Sequence, residues 1–453
     1  MKIKFIEPST YTEYNKLYKT EKVLMPSLTF PLLAALTPAD IDISIISEHL
    51  EDIDFDEKVD LVGITAYTPQ ILRAYEIADE YKRRGVPVVM GGIHVSMEPE
   101  EAAEHANTVI VGEAEDTWPE FIDDFRRGSG KKLYVAKKKP SLAHTPIPRF
   151  SLLNKDRYLL MDNTWVNRFL PLPMLPIQTA RGCPHSCDFC SVSIFCGTTY
   201  RPRPISEVVN EIVTLGSKGW CFVDDNIFAN PERAKELFNK LIPLKITWIG
   251  FANVNASDDR ELIRLARKSG CISIIIGLES LDSRSIKSVS KTMNKIDHYE
   301  KNIKAYHREG IALTVSMIFG FDGEDEIAIK EAYDFLTKNH VSCAFWWPLT
   351  PFPGTPLIKR LKEAGRLKCD KWWLNPELVV KNSLFKFDGK ELPEERTVKN
   401  NINYYYKKFT SLKDMFNRCL FFPPQRFLLS IYLNLTLRKG FIPYDEIGPG
   451  KLS

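Results

Sequence analysis

Apolar and polar positions along the chain fall into two runs of the same rhythm, separated by a segment that lacks it. In the first run, short apolar stretches rich in β-branched residues at 2–6, 42–47, 61–66, 86–90 and 108–111 alternate with longer amphipathic stretches, clearest at 69–84 and 98–105. Apolar runs this short fit strands buried on both faces, and the amphipathic stretches fit crossover helices. The second helix opens with Pro99 followed by Glu100 and Glu101, residues that a helix N-terminus favours. The repeated unit predicts an α/β domain built on a doubly wound, Rossmann-like parallel sheet, with ligands beyond the carboxyl ends of its strands.

The rhythm resumes with strands expected at 175–179, 220–223, 246–252, 271–276, 313–319 and 341–347, and with helices at 205–215, 231–241, 258–268, 297–309 and 325–339. Consecutive β/α units of this kind predict a partial (β/α)6 barrel whose chemistry sits at the carboxyl ends of the strands. Between the runs, Gly128-Ser129-Gly130, Lys137-Lys138-Lys139-Pro140 and Pro146-Ile147-Pro148 read as a linker, with the lysines on a solvated face. Residues 156–173 approach the first barrel strand and are candidates for the substrate side, a role that the sequence leaves open. After 365 the rhythm stops in favour of an aromatic-rich, mainly helical region with Trp372-Trp373, Tyr404-Tyr405-Tyr406 and an apolar run at 427–437. The expected division is therefore 1–128, 129–174, 175–365 and 366–453.

Composition narrows the classes. A chain of 453 residues, 44% hydrophobic and 26% charged, is globular and long enough for two or three domains. Its net charge of +3 gives no bulk attraction to nucleic acid. The segment Met1 to Pro8 has no apolar core of a secretory signal, and no uninterrupted apolar run approaches the ~18 residues of a membrane span. Nine cysteines, an odd number, fit a reducing cytoplasm better than a disulfide framework. The run at 427–437 fits the core, a substrate pocket or a membrane surface, and its basic surroundings leave peripheral membrane association open.

The densest chemistry is Thr179-Ala180-Arg181-Gly182-Cys183-Pro184-His185-Ser186-Cys187-Asp188-Phe189-Cys190. A tight loop turned by Gly182 and Pro184 can direct its three thiolates at one point, and three ligands on a four-iron cluster leave one iron open for a small molecule. The plainer readings are buried free thiols or zinc, for which Cys196 is the nearest fourth thiol. Polar residues and glycines also gather at the strand ends. In the first run they are Thr65 and Tyr67, then Gly91, Gly92 and His94, then Gly112 and Glu113. In the second they are Asp224, Asp225, Asn253, Gly277 and Glu279. Tight turns and helix caps are the alternatives for each.

The spacing Cys-x3-Cys-x-aromatic-Cys resembles the signature of radical S-adenosylmethionine enzymes. The resemblance implies a [4Fe-4S] cluster on Cys183, Cys187 and Cys190, with S-adenosylmethionine on the open iron, cleaved by one electron to a 5′-deoxyadenosyl radical. Phe189, Asp224, Asp225, Asn253, Gly277 and Glu279 are then candidates for the S-adenosylmethionine site, since Gly277-Leu278-Glu279-Ser280 is similar to the family's Gly-x-Glu-Ser pattern. Upstream, Gly-Gly-x-His and Val-Gly-Glu-x-Glu resemble the cobalamin-binding domain that many such enzymes carry. That makes Thr65, Tyr67, Gly91, Gly92, His94, Gly112 and Glu113 candidates for cobalamin contact. The chain departs from the best-known cobalamin domains after its first strand, where Glu7-Pro8-Ser9-Thr10-Tyr11 lacks the histidine of the Asp-x-His-x-x-Gly loop.

Together these resemblances imply a cobalamin-dependent methyltransferase acting on an unactivated carbon of a hydrophobic, lipid-like or other small-molecule substrate, with a ferredoxin or flavodoxin as electron donor. Cyclisation, rearrangement or coupling without methyl transfer is the alternative within enzymes, and a non-catalytic cobalamin or redox sensor is the alternative outside them. Methylthiolation of transfer RNA lacks its second cysteine set, because no cysteine precedes Cys183.

Overall fold

The computed structural model describes residues 1–12, 16–23, 25–158, 173–291, 293–324, 327–381, 384–386, 395–420, 422, 427–428, 430–431 and 434–435. Its first sheet comprises β1 (Lys2–Glu7), β2 (Asp42–Ser47), β3 (Leu61–Thr65), β4 (Val88–Gly91), β5 (Thr108–Val111) and β6 (Leu133–Val135). The strands are all parallel and run in the order β2-β1-β3-β4-β5-β6. The chain winds outward in both directions from the pair β1 and β3, as expected of a doubly wound sheet. Ile3, Val62, Val88 and Val109 are fully buried. That is why these strands read as unbroken apolar runs.

The second half opens with β7 (Leu175–Ile177), followed by a two-stranded antiparallel ribbon of β8 (Ala180–Arg181) and β9 (Arg201–Pro202). It continues through β10 (Gly219–Phe222), β11 (Thr247–Ala252), β12 (Cys271–Glu279), β13 (Ala312–Phe319) and β14 (Cys343–Pro348). Apart from the ribbon, these strands form one parallel sheet in chain order, β7-β10-β11-β12-β13-β14. This is the expected open (β/α)6 barrel. Its outer face carries Trp220, Trp248, Ile274, Val315 and Trp346, which pack with Leu237, Ile303 and Leu336 of the surrounding helices in one core. Helices Glu395–Phe409 and Leu412–Cys419 supply the helical C-terminal region, and Arg418 is buried there against Phe409 and donates to the carbonyls of Phe409 and Val341.

Two details differ from the expected layout. The segment read as a linker contains β6, which extends the first sheet past residue 128. Its apolar run Leu133-Tyr134-Val135 is only three residues long and set among lysines, and only Tyr134 is buried, so it is too short to stand out as a strand. The two halves also share a core, because Ile64, Tyr75 and Val95 of the first sheet and its helices cluster with Phe321, Leu357, Trp372 and Trp373. Residues 159–172 of the expected approach to the first barrel strand, and 429, 432–433 and 436–437 of the expected run 427–437, lie outside the described residues.

Candidate functional site

The ribbon brackets the cysteine loop. Gly182 sits at φ +89, where a Cβ would lie 2.2 Å from the Thr199 carbonyl oxygen, so the loop can leave β8 this closely only through glycine. A turn closes its far end, with the Cys190 amide donating to the Cys187 carbonyl at 3.0 Å. Asp188 anchors it from behind: its amide donates to Val289, its carbonyl accepts from Leu357, and its carboxylate pairs with Arg360 at 3.1 Å. All three thiols are unpaired by disulfides and half-buried. Burial raises the Cys183 thiol and pushes Cys187 up to about 11, each within electrostatic reach of the other cysteines of the loop and of Lys291. Among the described residues no three His, Cys, Asp or Glu side chains already close on one ion-sized point. What fits a cluster is the donor set: three soft sulfur ligands on a held loop beside a buried cation.

The strand register identifies the inner face of the barrel. Phe251 stands beside Ile275 and Ile275 beside Thr314, while Gly277, Ser316 and Phe345 form one row and Ile318 and Trp347 the next. Residues side by side in a parallel register share a face. This face is opposite the helix-packed core, and Phe251, Ile275, Ile318, Phe345 and Trp347 are all partly open on it. The rings of Phe345 and Trp347 lie nearly parallel, with centroids 5.8 Å apart.

At the mouth of this face the register of β12 slips between Gly277 and Glu279, and Glu279 takes φ +67. Few non-glycine residues adopt that conformation without a reason. Its carboxylate folds back over Gly277, where an added Cβ would lie 2.0 Å from Oε1. There Oε1 accepts from the Lys291 ammonium at 2.5 Å and Oε2 from Ser316 Oγ at 3.3 Å. Burial opposes the charge on Lys291, but Glu279 and the neighbouring cysteines hold its pKa above the usual value. Lys291 Nζ also stands 6.0 Å from the centre of the Phe189 ring. A cation, a carboxylate and an aromatic ring thus stand next to the cysteine loop at the strand end expected for an adenosyl group. Lys291 carries no signal in the sequence because it stands alone in a polar loop, with no periodicity to mark it.

The remaining candidates divide. Asp225 faces the loop, its carboxylate accepting from the Gly182 amide at 2.9 Å, and Asn253 is half-exposed at the end of β11. Asp224 is engaged elsewhere, accepting from the Thr179 amide at 2.6 Å and from the Thr179 hydroxyl, and burial pushes its pKa up to about 6. It fixes the strand before the loop through Thr179.

At the first sheet, Thr65 and Tyr67 lie at the end of β3, with Tyr67 60% exposed between the buried Ala66 and Thr68. Gly92, at φ +104, lets the backbone after β4 pass Thr65, whose Oγ1 would be 2.4 Å from an added Cβ; Gly91 is under no such constraint. The Gly112 amide donates to Ser96 Oγ at 2.9 Å, which holds the end of β5 against the next turn. These ends offer backbone, glycine and the exposed ring of Tyr67, a shelf with few side chains on it.

Two further candidates are engaged by other side chains. His94 is fully buried, with Nδ1 3.1 Å from Thr68 Oγ1 and Nε2 3.5 Å from Glu101, and its ring packs edge-on against Trp373. Burial lowers its pKa. It belongs to the core between the two halves and does not face the shelf. Glu113 likewise points away, into ion pairs with Arg181 and Arg201.

Comparison with known proteins agrees with both halves. The Radical SAM superfamily model matches residues 177–336 and the B12 binding domain model residues 33–122. The chain is 30% identical to the bacteriochlorophyllide d C-8(2)-methyltransferase of Chlorobaculum tepidum over 85% of this chain and 87% of that protein. It is 32% identical to the bacteriochlorophyllide d C-12(1)-methyltransferase of the same organism over 88% and 85% respectively. Among solved structures, the radical S-adenosylmethionine methyltransferase TsrM from Kitasatospora setae, with cobalamin and a [4Fe-4S] cluster bound, shares the fold. Its TM-score is 0.64 at 16% identity, over 89% of this chain and 88% of that one.

Proposed function

The chain belongs to the cobalamin-dependent radical S-adenosylmethionine methyltransferases, and from that premise we propose that it methylates an unactivated peripheral carbon of a tetrapyrrole-type macrocycle. The observation that carries the substrate class is the pair of bacteriochlorophyllide methyltransferases matched over nearly the whole length of both chains. The inner face of the barrel supports it, since the partly open aromatic rings of Phe345 and Trp347 there are surfaces that a planar ring can pack against.

Its cofactors are a [4Fe-4S] cluster, S-adenosylmethionine and cobalamin, which supply a hydrogen-abstracting radical and a transferable methyl group. The chain's own residues bind, orient and exclude water. Cys183, Cys187 and Cys190 hold the cluster. Phe189, Gly277 and Glu279, with Lys291 as countercharge, receive S-adenosylmethionine beside Asp225 and Asn253. Thr65, Tyr67, Gly91, Gly92 and Gly112 form the seat of the corrin, which no histidine of the loop after β1 reaches. A ferredoxin- or flavodoxin-class protein donates the electron.

Among the described residues no helix is long and apolar enough to cross a membrane. Leu412, Phe416 and Leu420, four residues apart and exposed beside Lys413, support peripheral contact with a membrane that holds such a substrate. The test is anaerobic reconstitution with iron, sulfide and cobalamin, then incubation with bacteriochlorophyllide d, S-adenosylmethionine and a low-potential one-electron reductant. A product one methylene heavier is expected. Formation of 5′-deoxyadenosine with no modified macrocycle, while a lipid substrate becomes methylated, would overturn the substrate class.

A further inference from the structure

We infer that Glu113 is a positioning residue that sets the distance between the corrin shelf and the cluster loop, a role resting on the cofactor assignment above. Glu113 follows β5 in the first half of the chain, yet its side chain is 1% exposed because it is covered by the second half. Its Oε2 accepts from Arg181 Nη1 at 2.7 Å and Arg201 Nη1 at 3.1 Å, and its Oε1 accepts from Arg201 Nη2 at 2.6 Å. Arg181 and Arg201 are register partners in the ribbon of β8 and β9. One leads into the cysteine loop and the other lies on the strand that follows it. A single carboxylate of the first half therefore holds both strands from which the loop hangs.

The surrounding charges complete the set. Arg181 also pairs with Glu115 at 2.5 Å, Lys139 stands 3.9 Å from Glu113, and Asp225 accepts from the Gly182 amide between the ribbon and the loop. Lys139 also donates to the Phe195 carbonyl at the end of the short helix after Cys190, and Arg201 Nη2 to the Cys196 carbonyl at 3.1 Å. Three acids thus face three cations, with Glu113 sealed at the centre, Arg181 and Arg201 mostly buried around it and Lys139 at the solvent-exposed rim.

Association of the two halves does not need this set. The apolar cluster of Tyr75, Val95, Leu357, Trp372 and Trp373 already joins them, as does Met97, whose Sδ would lie 2.6 Å from a Cβ at Gly354. What the charged set adds is direction. A carboxylate gripped by a guanidinium fork accepts little rotation or sliding, whereas apolar surfaces tolerate both. The two cofactors act on one substrate carbon, and a misplacement of about 1 Å between reacting groups can cost ~100-fold in rate. A rigid strut between shelf and loop is what that chemistry requires.

The test is pulsed electron paramagnetic resonance on the reconstituted holoenzyme, without substrate, reduced so that the cluster and cob(II)alamin are both paramagnetic. The wild-type enzyme is expected to give one narrow distribution of cluster-to-cobalt distance. Glu113→Gln should keep its iron, its corrinoid and its 5′-deoxyadenosine formation while that distribution widens about twofold, as the fork bonds are lost. Arg201→Lys, which keeps the charge without the fork, should give an intermediate width, and Glu120→Gln, on an exposed pair, none. Should Glu113→Gln fail to fold, Arg201→Met leaves Arg181 on Glu113 and tests the same strut. A width equal to wild type in a folded, fully loaded Glu113→Gln or Arg201→Met protein overturns the inference. Wild-type protein that takes up no corrinoid contradicts the cofactor assignment instead.

Discussion

The carboxyl ends of the two parallel sheets present opposite kinds of surface. Around the barrel mouth, Asp225, Asn253, Glu279 and Ser316 keep polar side chains at or near a half-open face, and Lys291 adds a charge that burial alone would oppose. Around the first sheet the polar side chains are turned inward and spent, His94 on Thr68 and Glu101, Glu113 on two arginines. What remains there is backbone, threonine, glycine and the exposed ring of Tyr67. On the proposed assignment the barrel end recognises by charge and ligation, while the sheet end recognises by shape. A cluster with a zwitterionic nucleoside needs the first, and a broad macrocycle the second. One side-chain change should therefore be decisive at the barrel, and one added carbon decisive at the shelf.

The largest effect belongs to the cysteines. Alanine at Cys183, Cys187 or Cys190 should abolish cluster absorbance and 5′-deoxyadenosine formation while corrinoid binding at the far shelf persists, and absorbance spectra of the reconstituted variants would check both. Gly92→Val should do the reverse. Its Cβ would meet Thr65 Oγ1 at 2.4 Å in a backbone region closed to valine. Strain of about 1–3 kcal/mol at that turn predicts a roughly tenfold or greater loss of corrinoid with iron content retained, measured by metal analysis. Lys291→Met should weaken S-adenosylmethionine binding about tenfold by calorimetry, the weight of one charge-assisted contact, with the cluster still assembled.

A separate effect is on stability. Glu324 lies under the Gly320–Phe321 turn, accepting from both amides and from Ser280, and burial pushes its pKa up to about 7 from the usual 4.5. A carboxyl raised in the folded state stabilises fully below its unfolded value and loses that contribution as pH rises through its folded one. Stability should thus decline between about pH 4.5 and 7, by at most ~3 kcal/mol, and Glu324→Gln should flatten that decline in denaturant titrations.

Much of this was legible in the sequence where the signal is local. The cysteine spacing lies within eight residues, and both sheets follow from runs of buried strand whose neighbours in space are mostly neighbours in the chain. The losses share one cause, which is a partner remote in sequence. His94 reads as a hydrogen-bonding histidine of a glycine-rich turn, but nothing nearby reveals Trp373 as its neighbour, and nothing near Glu113 reveals Arg201, 88 residues away. Asp224 resembled a ligand contact until Thr179, 45 residues earlier, claimed its carboxylate. Strand β6 was missed for a different reason: three residues with one buried side chain leave no period to read.

The central claim is that the two strand ends serve one methyl transfer. Its most direct test is to quantify S-adenosylhomocysteine and 5′-deoxyadenosine in the same anaerobic reaction with bacteriochlorophyllide d. The account predicts both, in equal amounts and in step with methylated product. Modified product accompanied by 5′-deoxyadenosine alone would contradict it.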